Sequence, residues 1–420
     1  MALLFNCRIR IIVNKSIALQ CYQFALLQTG MVLYCPEKRT EIFIMRIGIE
    51  VQHMLRPKKH GTDIIILELL KQLQNIPSKH EFFLYTQANK QQPVFITKEN
   101  MHVDISRPAS AYVWEQQVLP AAIERHDINL LHCTSNTAPV GLKLPLILTI
   151  HDVGYLEKWM LRYGSWYQRF EIMYTQWNMP RIAKMADLII TVSDYEREKI
   201  IERLQIPAHK VKTIYHACAP HFTPATDTTD LETYRKKWKL PERYVLLFGN
   251  ISPGKNVPNV LRALNILHRQ NKLDFKLVMP DITEEKLQRL LTFHELQHLR
   301  QHIFLTGYIP NIELPNLYRL AELFLYPSIN ESFGMPILEA MACGTPVLTS
   351  KRGAIPEIAG NAALFTDPKN PEEISEKLYS VLNDRSLRTA AKSRGIKRAA
   401  NFSWHKTTSE IIRHYESFLS

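Results

Sequence analysis

The sequence predicts an α/β protein made of two doubly wound domains, each a parallel sheet covered by helices. Short apolar, β-branched segments alternate with helical patterns along most of the chain, which is typical of parallel sheets buried on both faces. The alternation restarts after a segment at 219–238 that is rich in Thr, Pro and Asp. The length of 420 residues exceeds one ordinary core and fits two domains of common size. We therefore interpret 219–238 as an interdomain linker.

The first domain is predicted over residues 45–222. The strand pattern "RIGIEV" follows Met45, and a loop with Gly61 leads to the helical pattern "DIIILELLKQL". Helices are expected over Trp166–Met185 and Tyr195–Leu204. The other strand patterns are "FFLYT", "INLLHC", "PLILTIH", "LIITVS" and "VKTIY".

The second domain is predicted over residues 238–402. It begins with the strand pattern "RYVLLFGN", and helices are expected near 257–270, 284–298 and 335–343. The remaining strand patterns are "DFKLVMP", "HIFLTGY", "ELFLYPS" and "PVLTS". A final segment, 403–420, has apolar residues at helical spacing and predicts one more helix. Ligands of such sheets bind at the carboxyl ends of the strands, so we expect the site in the cleft between the domains.

Residues 1–44 do not fit this pattern. The segment is apolar in patches that are broken by Arg10 and Lys15, and it lacks the apolar core and cleavage site of a signal peptide. We interpret it as an N-terminal extension outside the fold, with Met45 as the biological start. A membrane-associating segment is the alternative.

Composition limits the functional classes. A hydrophobic fraction of 46% with 22% charged residues is typical of a folded protein. The net charge of +12 favours an anionic partner, such as nucleic acid, a phosphate-bearing substrate or an acidic membrane surface. Long basic runs are absent from the sequence, which argues against a nucleic-acid arm. Its six cysteines form no C-x-x-C pair, so we expect reduced thiols, a cytoplasmic protein and no zinc site.

The segment "NESFGMPILEAMACGTPVLTS" carries the clearest chemistry. Pro336 suits the first helical position and Gly344 a helix end. The free amides at 332–335 would then lie at the positive end of a helix, which favours an anion. Glu331 and Glu339 flank this helix start, where carboxylates can accept hydrogen bonds from hydroxyl groups. The pattern fits a sugar–diphosphate–ribose ligand, although each glutamate alone also fits a helix cap or a solvated helix position.

Other familiar motifs are absent from the sequence. It contains no G-x-G-x-x-G after the first strand, no G-x-x-x-x-G-K-[ST] and no G-x-S-x-G. Dehydrogenase, P-loop and α/β-hydrolase chemistries are therefore weakly supported. No D-x-D pair stands in a suitable loop for a metal, since Asp187 and Asp194 lie elsewhere in the first domain.

The segment "ESFGMPILEAMACGTPV" resembles the signature of the retaining nucleotide-sugar glycosyltransferases of family 4. The resemblance extends over nearly all of 45–420 and includes "LTIHDVGYLE", "ADLIITVSDYEREKI", "FGNISPGKN", "FLTGYIP" and "GAIPEIAGNAALFTDP". It implies the GT-B fold, in which two Rossmann-like domains face each other across a cleft. It also implies that the C-terminal helix 403–420 packs back onto the N-terminal domain.

The resemblance assigns catalytic roles to three residues. Glu331 would contact the donor sugar near the reacting carbon, Lys255 would neutralise the diphosphate, and His151 would lie close to the transferred sugar. Taken alone, His151 also fits a helix-cap environment and Lys255 an ordinary surface lysine. The implied donor-binding residues are Glu339 for the ribose hydroxyls, Ser332, Phe333, Gly334 and Met335 around the sugar and phosphate, Gly61 in the first loop, Asn250, and Tyr308 near the base.

Three loops depart from the family pattern. An arginine usually accompanies the lysine of the first loop in the C-terminal domain, but Asn250 and Gly254 occupy its positions here. Thr62 follows Gly61 where a second glycine is common, and Ser332 replaces a frequent glycine. Arg352 is a candidate to compensate for the missing cation.

The implied reaction is transfer of a hexosyl unit, with retention, from a UDP- or GDP-sugar such as GDP-mannose to a glycan or lipid-linked acceptor. We expect a role in surface polysaccharide biosynthesis, no cofactor and no metal, no nucleic-acid partner, and peripheral contact with an anionic membrane at its inner face. The alternative is a non-catalytic sugar-nucleotide or glycan-binding protein. A nucleic-acid-binding protein is a third hypothesis that rests on net charge alone.

Overall fold

The computed structural model describes residues 44–52, 61–88, 98–157, 166–225, 229–248 and 253–419. The predicted extension 1–44 lies outside these ranges apart from Ile44, so its role stays a prediction. The described part contains two parallel sheets, as the sequence predicted.

The first sheet has seven strands, all paired in parallel, in the order β3-β2-β1-β4-β5-β6-β7. Their bounds are β1 (Arg46–Glu50), β2 (Glu81–Gln87), β3 (Met101–Ser106), β4 (Leu130–Cys133), β5 (Leu146–Ile150), β6 (Leu188–Thr191) and β7 (Val211–Thr213). Apolar clusters pack on both faces of this sheet. This burial explains why its strands are almost continuously hydrophobic.

Four helices among the described residues of this half cover the sheet. They are α1 (Gly61–Asn75), α2 (Leu119–Arg125), α3 (Trp166–Met185) and α4 (Asp194–Leu204). Three of them, α1, α3 and α4, lie where the sequence predicted helices. A short helix, Ala111–Val113, continues through a π-helical turn, Trp114–Val118, into α2. The hydroxyl of Ser193 caps α4 by accepting a hydrogen bond from the amide of Glu196.

The linker prediction needs a correction. The end of the predicted linker forms the helix α5 (Thr229–Trp238), which packs on the second half of the chain. Tyr234 is buried there, and Glu313 accepts hydrogen bonds from Lys237 at 2.7 Å and from the indole of Trp238 at 3.0 Å. The Thr- and Asp-rich composition concealed two aromatic residues that anchor a helix.

The second sheet has six parallel strands in the order β10-β9-β8-β11-β12-β13. Its strands are β8 (Tyr244–Leu246), β9 (Lys276–Pro280), β10 (Ile303–Gly307), β11 (Leu323–Tyr326), β12 (Val347–Ser350) and β13 (Leu364–Thr366). Its helices are α6 (Val257–Arg269), α7 (Glu284–Phe293), α8 (Leu314–Leu320), α9 (Met335–Ala342), α10 (Ile355–Ala359), α11 (Pro371–Asn383) and α12 (Arg385–Ala399).

The chain ends in α13 (Trp404–Glu416), which packs against α1 of the first sheet. Ile411, Ile412 and Tyr415 join the apolar cluster beneath β1. The hydroxyl of Tyr415 lies 2.7 Å from Nδ1 of His132 on β4. The last helix therefore packs on the N-terminal half of the chain.

The predicted catalytic side chains all follow carboxyl ends of strands. His151 follows β5 in the first sheet, whereas Lys255 follows β8 and Glu331 follows β11 in the second. Both sheets reverse their strand order beside their first strand, and ligands of doubly wound folds bind at such switch points.

Candidate functional site

Glu331 and Lys255 form an ion pair at the carboxyl end of the second sheet. Nζ of Lys255 lies 2.7 Å from Oε1 of Glu331, and the two side chains are only 25% and 12% exposed. The sequence placed both residues at the site but did not predict that they touch. The lysine would therefore act on a ligand and on the carboxylate at once.

Two further side chains fix the orientation of Glu331. Tyr326, on β11, donates a hydrogen bond to Oε1 of Glu331 at 2.9 Å and accepts one from Nζ of Lys255. The hydroxyl of Ser328 lies 2.6 Å from the same Oε1 and 2.7 Å from the carbonyl of Gly254. Oε2 of Glu331 has no hydrogen-bond partner among the described residues. One oxygen is thus held in place while the other is open to a ligand hydroxyl.

The backbone of Glu331 requires a glycine nearby. Gly353 has a φ of +61°, and a Cβ at this position would lie 2.4 Å from the carbonyl oxygen of Glu331. The next residue, Ala354, donates its amide to that same carbonyl at 2.9 Å. The loop after β12 thereby supports the loop after β11 by direct backbone contact, and any side chain at 353 would separate them.

Glu339 is held in a similar way on α9. It is only 7% exposed, and the hydroxyl of Tyr318 donates a hydrogen bond to its Oε2 at 2.9 Å. Burial raises the pKa of Glu339 to about 7. Its Oε1 has no partner in the part of the chain that the structure describes. The geometry suits a carboxylate that accepts hydrogen bonds from a ligand and becomes ionised as it does so.

The start of α9 presents unused backbone donors. The helix begins at Met335, as predicted, after Gly334 with a φ of +95°, and no side chain caps it. Within the described residues, the amides of Phe333, Gly334 and Met335 have no acceptor. The ring of Phe333 itself is buried against Tyr215, so this residue offers its amide and not its side chain. These donors can bind an anion at the positive end of the helix.

His151 stands on the opposite side, at the end of β5. Its Nε2 lies 2.9 Å from the carbonyl of Thr134, which can only accept, so Nε2 carries the hydrogen and Nδ1 does not. Burial lowers the pKa of His151, which keeps the ring neutral. A neutral ring with Nδ1 as acceptor can receive a hydrogen bond from a hydroxyl group.

A second histidine, His216, lies between His151 and the donor-side loop. Its ring centroid is 5.8 Å from that of His151 and 5.5 Å from that of Phe333. The residue is 6% exposed, and neither ring nitrogen has a partner in the described residues. Burial lowers its pKa to about 3. Sequence reasoning missed this residue, because "TIYHAC" gives no local sign that the strand-end histidine meets the other domain.

Direct hydrogen bonds join the two halves beside this site. Ser193 donates its hydroxyl to the carbonyl of Ser332 at 2.6 Å. The carboxylate of Glu357, on α10, accepts the amides of Asp194 and Tyr195 at 2.7 and 3.1 Å. A carboxylate of one half therefore caps the first turn of α4 in the other half. We call the contacts of Ser193 and Glu357 the clasp.

Two buried glutamates lie at the carboxyl end of the first sheet. Burial raises the pKa of Glu50, at the end of β1, to about 7, and it also raises the pKa of Glu115. Glu115 accepts hydrogen bonds from Tyr174 and Thr137, both at 2.5 Å. Neither glutamate was predicted as a site residue, although the position of Glu50 at a predicted strand end was a usable signal.

The remaining predicted residues lie at other places in the fold or outside the described residues. Gly61 is the first residue of α1, and an added Cβ there would meet nothing within 4 Å. Tyr308 follows β10 at the other edge of the second sheet, and Asn250 lies outside the described residues. Arg352 lines a separate cavity of about 290 Å³ with Lys351, Phe365, Thr366, Asp367, Pro368, Glu373 and Lys377.

The described residues offer neither a metal-binding cluster nor a membrane-spanning helix. They hold no group of three or more His, Cys, Asp or Glu side chains that could bind a metal ion. They also hold no helix that combines the length and apolar character required to cross a bilayer.

Two family models match the chain. Residues 60–221 match the model described as Glycosyltransferase Family 4, and residues 230–398 match Glycosyl transferases group 1. The two matches fall on the first and second sheets, respectively.

Curated relatives include two mannosyltransferases of Escherichia coli. The chain is 31% identical to O-antigen chain mannosyltransferase B over 270 residues, which are 64% of this chain and 70% of the relative. It is 28% identical to the serotype-specific mannosyltransferase WbdA over 237 residues, 56% of this chain but 29% of that longer protein.

Solved structures share the fold. Sucrose-phosphate synthase from Thermosynechococcus elongatus superposes with a TM-score of 0.70 at 17% identity, covering 89% of this chain and 99% of that one. WaaG, a glycosyltransferase involved in lipopolysaccharide biosynthesis, gives 0.67 at 17% identity, covering 87% and 98%. These likenesses confirm the predicted GT-B fold, with two Rossmann-like domains facing each other across a cleft.

Proposed function

The chain belongs to glycosyltransferase family 4, and we propose from this that it transfers a mannosyl unit from a nucleotide-sugar, GDP-mannose first among the candidates, to a glycan or lipid-linked acceptor. The proposal deepens the general activity, glycosyl transfer, by naming sugar, donor and acceptor class. Its setting would be surface polysaccharide biosynthesis at the inner face of the cell membrane.

The main support for the proposal is the hydrogen bonding of two glutamates, each of which has only one carboxylate oxygen bonded to other described residues. Glu331 and Glu339 each have one oxygen fixed by a tyrosine and one oxygen open, on either side of the free amides at the start of α9. This spacing suits a ligand with hydroxyl groups at both ends and an anion between them. The mannosyltransferase relatives support mannose as the sugar.

In the proposed reaction the acceptor hydroxyl attacks the anomeric carbon from the face of the leaving diphosphate, and the configuration is retained. The bond from the anomeric carbon to the diphosphate oxygen breaks, and the proton of the acceptor passes to that diphosphate. Lys255 and the amides at Phe333–Met335 stabilise the developing negative charge. Glu331 would hold the transferred sugar, and His151 would accept one of its hydroxyl hydrogen bonds.

We further propose that the diphosphate is bound without a metal, since a lysine and a helix start converge where its charge would lie. Activity should then persist in EDTA and should not need added magnesium or manganese. Loss of activity in EDTA that either ion restores would contradict this part of the proposal and leave the transfer reaction itself standing.

The decisive experiment measures transfer and slow hydrolysis with radiolabelled GDP-mannose, UDP-glucose and UDP-galactose. We expect label release from GDP-mannose above the other donors, and its loss in Glu331→Gln. Binding of a nucleotide-sugar with no turnover in the presence of mannose-containing acceptors would instead favour the non-catalytic alternative. Release from a UDP-sugar alone would refute the choice of donor.

A further inference from the structure

The helix α3 is apolar on two opposite faces. Its inward face contributes Met179, Ile182 and Ala183 to the core of the first sheet. Four large apolar residues lie on the other side: Trp166 is 84% exposed, Phe170 45%, Met173 56% and Trp177 41%. Their spacings of four, three and four residues place them in one stripe along the helix. We call Trp166, Phe170, Met173 and Trp177 the outward stripe.

An outward stripe of this kind is unusual for a helix that covers a sheet, because the solvent side is normally polar. The stripe extends for about 16 Å along the helix axis, at about 1.5 Å per residue. Tyr112, itself 43% exposed, packs edge-on against Tyr174 at 5.7 Å and widens the apolar area. Contiguous exposed apolar surface marks a contact with a partner or a membrane more often than it marks free surface.

The charged side chains on the outward side of α3 are all cationic. Arg169, Arg181 and Lys184 are exposed on α3, and the guanidinium of Arg181 lies 4.9 Å from the ring centroid of Trp177. The one carboxylate of this helix belongs to Glu171. Because an α-helix turns by about 100° per residue, Glu171 projects about 130° away from the centre of the stripe. A surface that pairs tryptophan and phenylalanine with cations complements an anionic, interfacial partner.

We propose that the outward stripe of α3 and its three cations dock the protein onto an anionic lipid bilayer, with the helix lying in the plane of the interface. The apolar side chains enter the boundary between headgroups and acyl chains, and Arg169, Arg181 and Lys184 contact lipid phosphates. This inference rests on the membrane setting of the proposed function and deepens it by naming the surface that makes the contact, and it does not depend on the donor.

The position of the stripe links docking to catalysis. Tyr174 and Asn178, on the flank of α3, donate hydrogen bonds to Glu115 at the carboxyl edge of the first sheet, at 2.5 and 3.4 Å. That edge faces the cleft where an acceptor would enter. Docking through α3 would therefore bring a lipid-linked acceptor close to the site.

A glycan is the competing candidate for the partner that binds these exposed aromatic rings. Protein groups that bind sugars pair a ring with carboxylate or amide side chains that fix the hydroxyls. The described side chains at the centre of the stripe are aromatic, thioether or cationic, and the amide of Gln176 at its margin already donates a hydrogen bond to the carbonyl of Tyr155 at 3.0 Å. A lipid surface therefore fits the stripe better than a glycan does.

The test is flotation of the full chain with vesicles of phosphatidylcholine alone or of equal parts phosphatidylcholine and phosphatidylglycerol. We expect flotation with the anionic vesicles and a blue shift of tryptophan emission that Trp166→Phe diminishes. The double variant Phe170→Ser, Met173→Ser should reduce partitioning about tenfold, given the apolar area that it removes. Lys184→Gln should reduce it about fivefold on anionic vesicles only.

Phe293→Ser is the matched control, because Phe293 is 81% exposed at the end of α7 in the other half of the chain. It should float like the unmodified protein, and all variants should keep its melting temperature and its rate of donor hydrolysis without acceptor. Equal flotation of the double variant and the unmodified chain would overturn the proposal. Quenching of Trp166 by soluble mannose oligosaccharides without flotation would also overturn it and assign the stripe to a glycan.

Discussion

Replacing Lys255 with alanine tests how the centre of the site works. Its ammonium group contacts Oε1 of Glu331 at 2.7 Å, and both side chains are mostly shielded from solvent. A charge-assisted hydrogen bond is worth roughly 1.5–3 kcal/mol, which corresponds to about ten- to 150-fold in rate. We therefore expect Lys255→Ala to lower kcat/KM for the donor by at least about tenfold, measured with radiolabelled GDP-mannose.

The chain supplies a matched control for this change. Lys377 and Glu373 form a pair of the same residue types at 2.6 Å, but their side chains are 44% and 32% exposed and far more solvated. Pairs of this kind contribute about 0.2–1 kcal/mol. Because Lys377 contacts Glu373 and the carbonyl of Phe365 and not Glu331, Lys377→Ala should leave kcat/KM within about twofold.

A double-mutant cycle separates two roles of the lysine. If Lys255 acts only by orienting Glu331, its replacement in a Glu331→Gln background should cost nothing further. If it also stabilises the diphosphate, as we propose, most of the loss should persist in that background, and affinity for the nucleoside diphosphate should fall as well. An unaffected Lys255→Ala enzyme, or an equal loss in Lys377→Ala, would refute the reasoning.

Three other changes test the rest of the site. The pKa of about 7 leaves Glu339 mostly protonated at pH 6. Because the hydroxyl groups of the ligand donate to the ionised carboxylate, the affinity for the nucleoside diphosphate should rise up to about tenfold from about pH 6 to 8. Calorimetry should show that this rise in affinity is missing in Glu339→Gln. A pH profile in that variant identical to that of the unmodified protein would contradict the role of Glu339 in binding. Glu357→Gln should weaken the clasp by about 1 kcal/mol, lowering kcat roughly fivefold with nucleotide affinity unchanged; equal losses in both would indicate a general folding defect. Truncation after Asn401 removes α13 and its Tyr415–His132 contact, so the melting temperature should drop by several degrees at least, and an unchanged melting curve would show that the returning helix is dispensable.

The sequence by itself determined the secondary structure of the central motif and the residues that it places there. Strand and helix patterns depend on neighbouring residues, so β11, α9 and β12 lie where "ELFLYPS", "MPILEAMA" and "PVLTS" predicted them. The stop at Gly344 follows from its positive φ of 76°, which a glycine accepts without strain. Local rules were sufficient because each of these features is decided within a few residues.

Contacts between distant residues could be decided only by the tertiary structure. Lys255 and Glu331 are 76 positions apart, and Ser193 and Ser332 are 139 apart, so no local pattern relates them. Tyr318 and Tyr326 look like ordinary core residues in the sequence, and only packing turns their hydroxyls toward the two glutamates.

The outward stripe of α3 shows the same limit in another form. Because the helix is apolar on both sides, its sequence cannot indicate which side faces the sheet. The helical periodicity fits both orientations equally well. In the structure Met179 and Ile182 pack against the sheet, and this orientation of the helix leaves Phe170 and Trp177 in solvent. Local residue order fixes which groups a helix carries, whereas burial of one face depends on the free energy of packing against the rest of the chain.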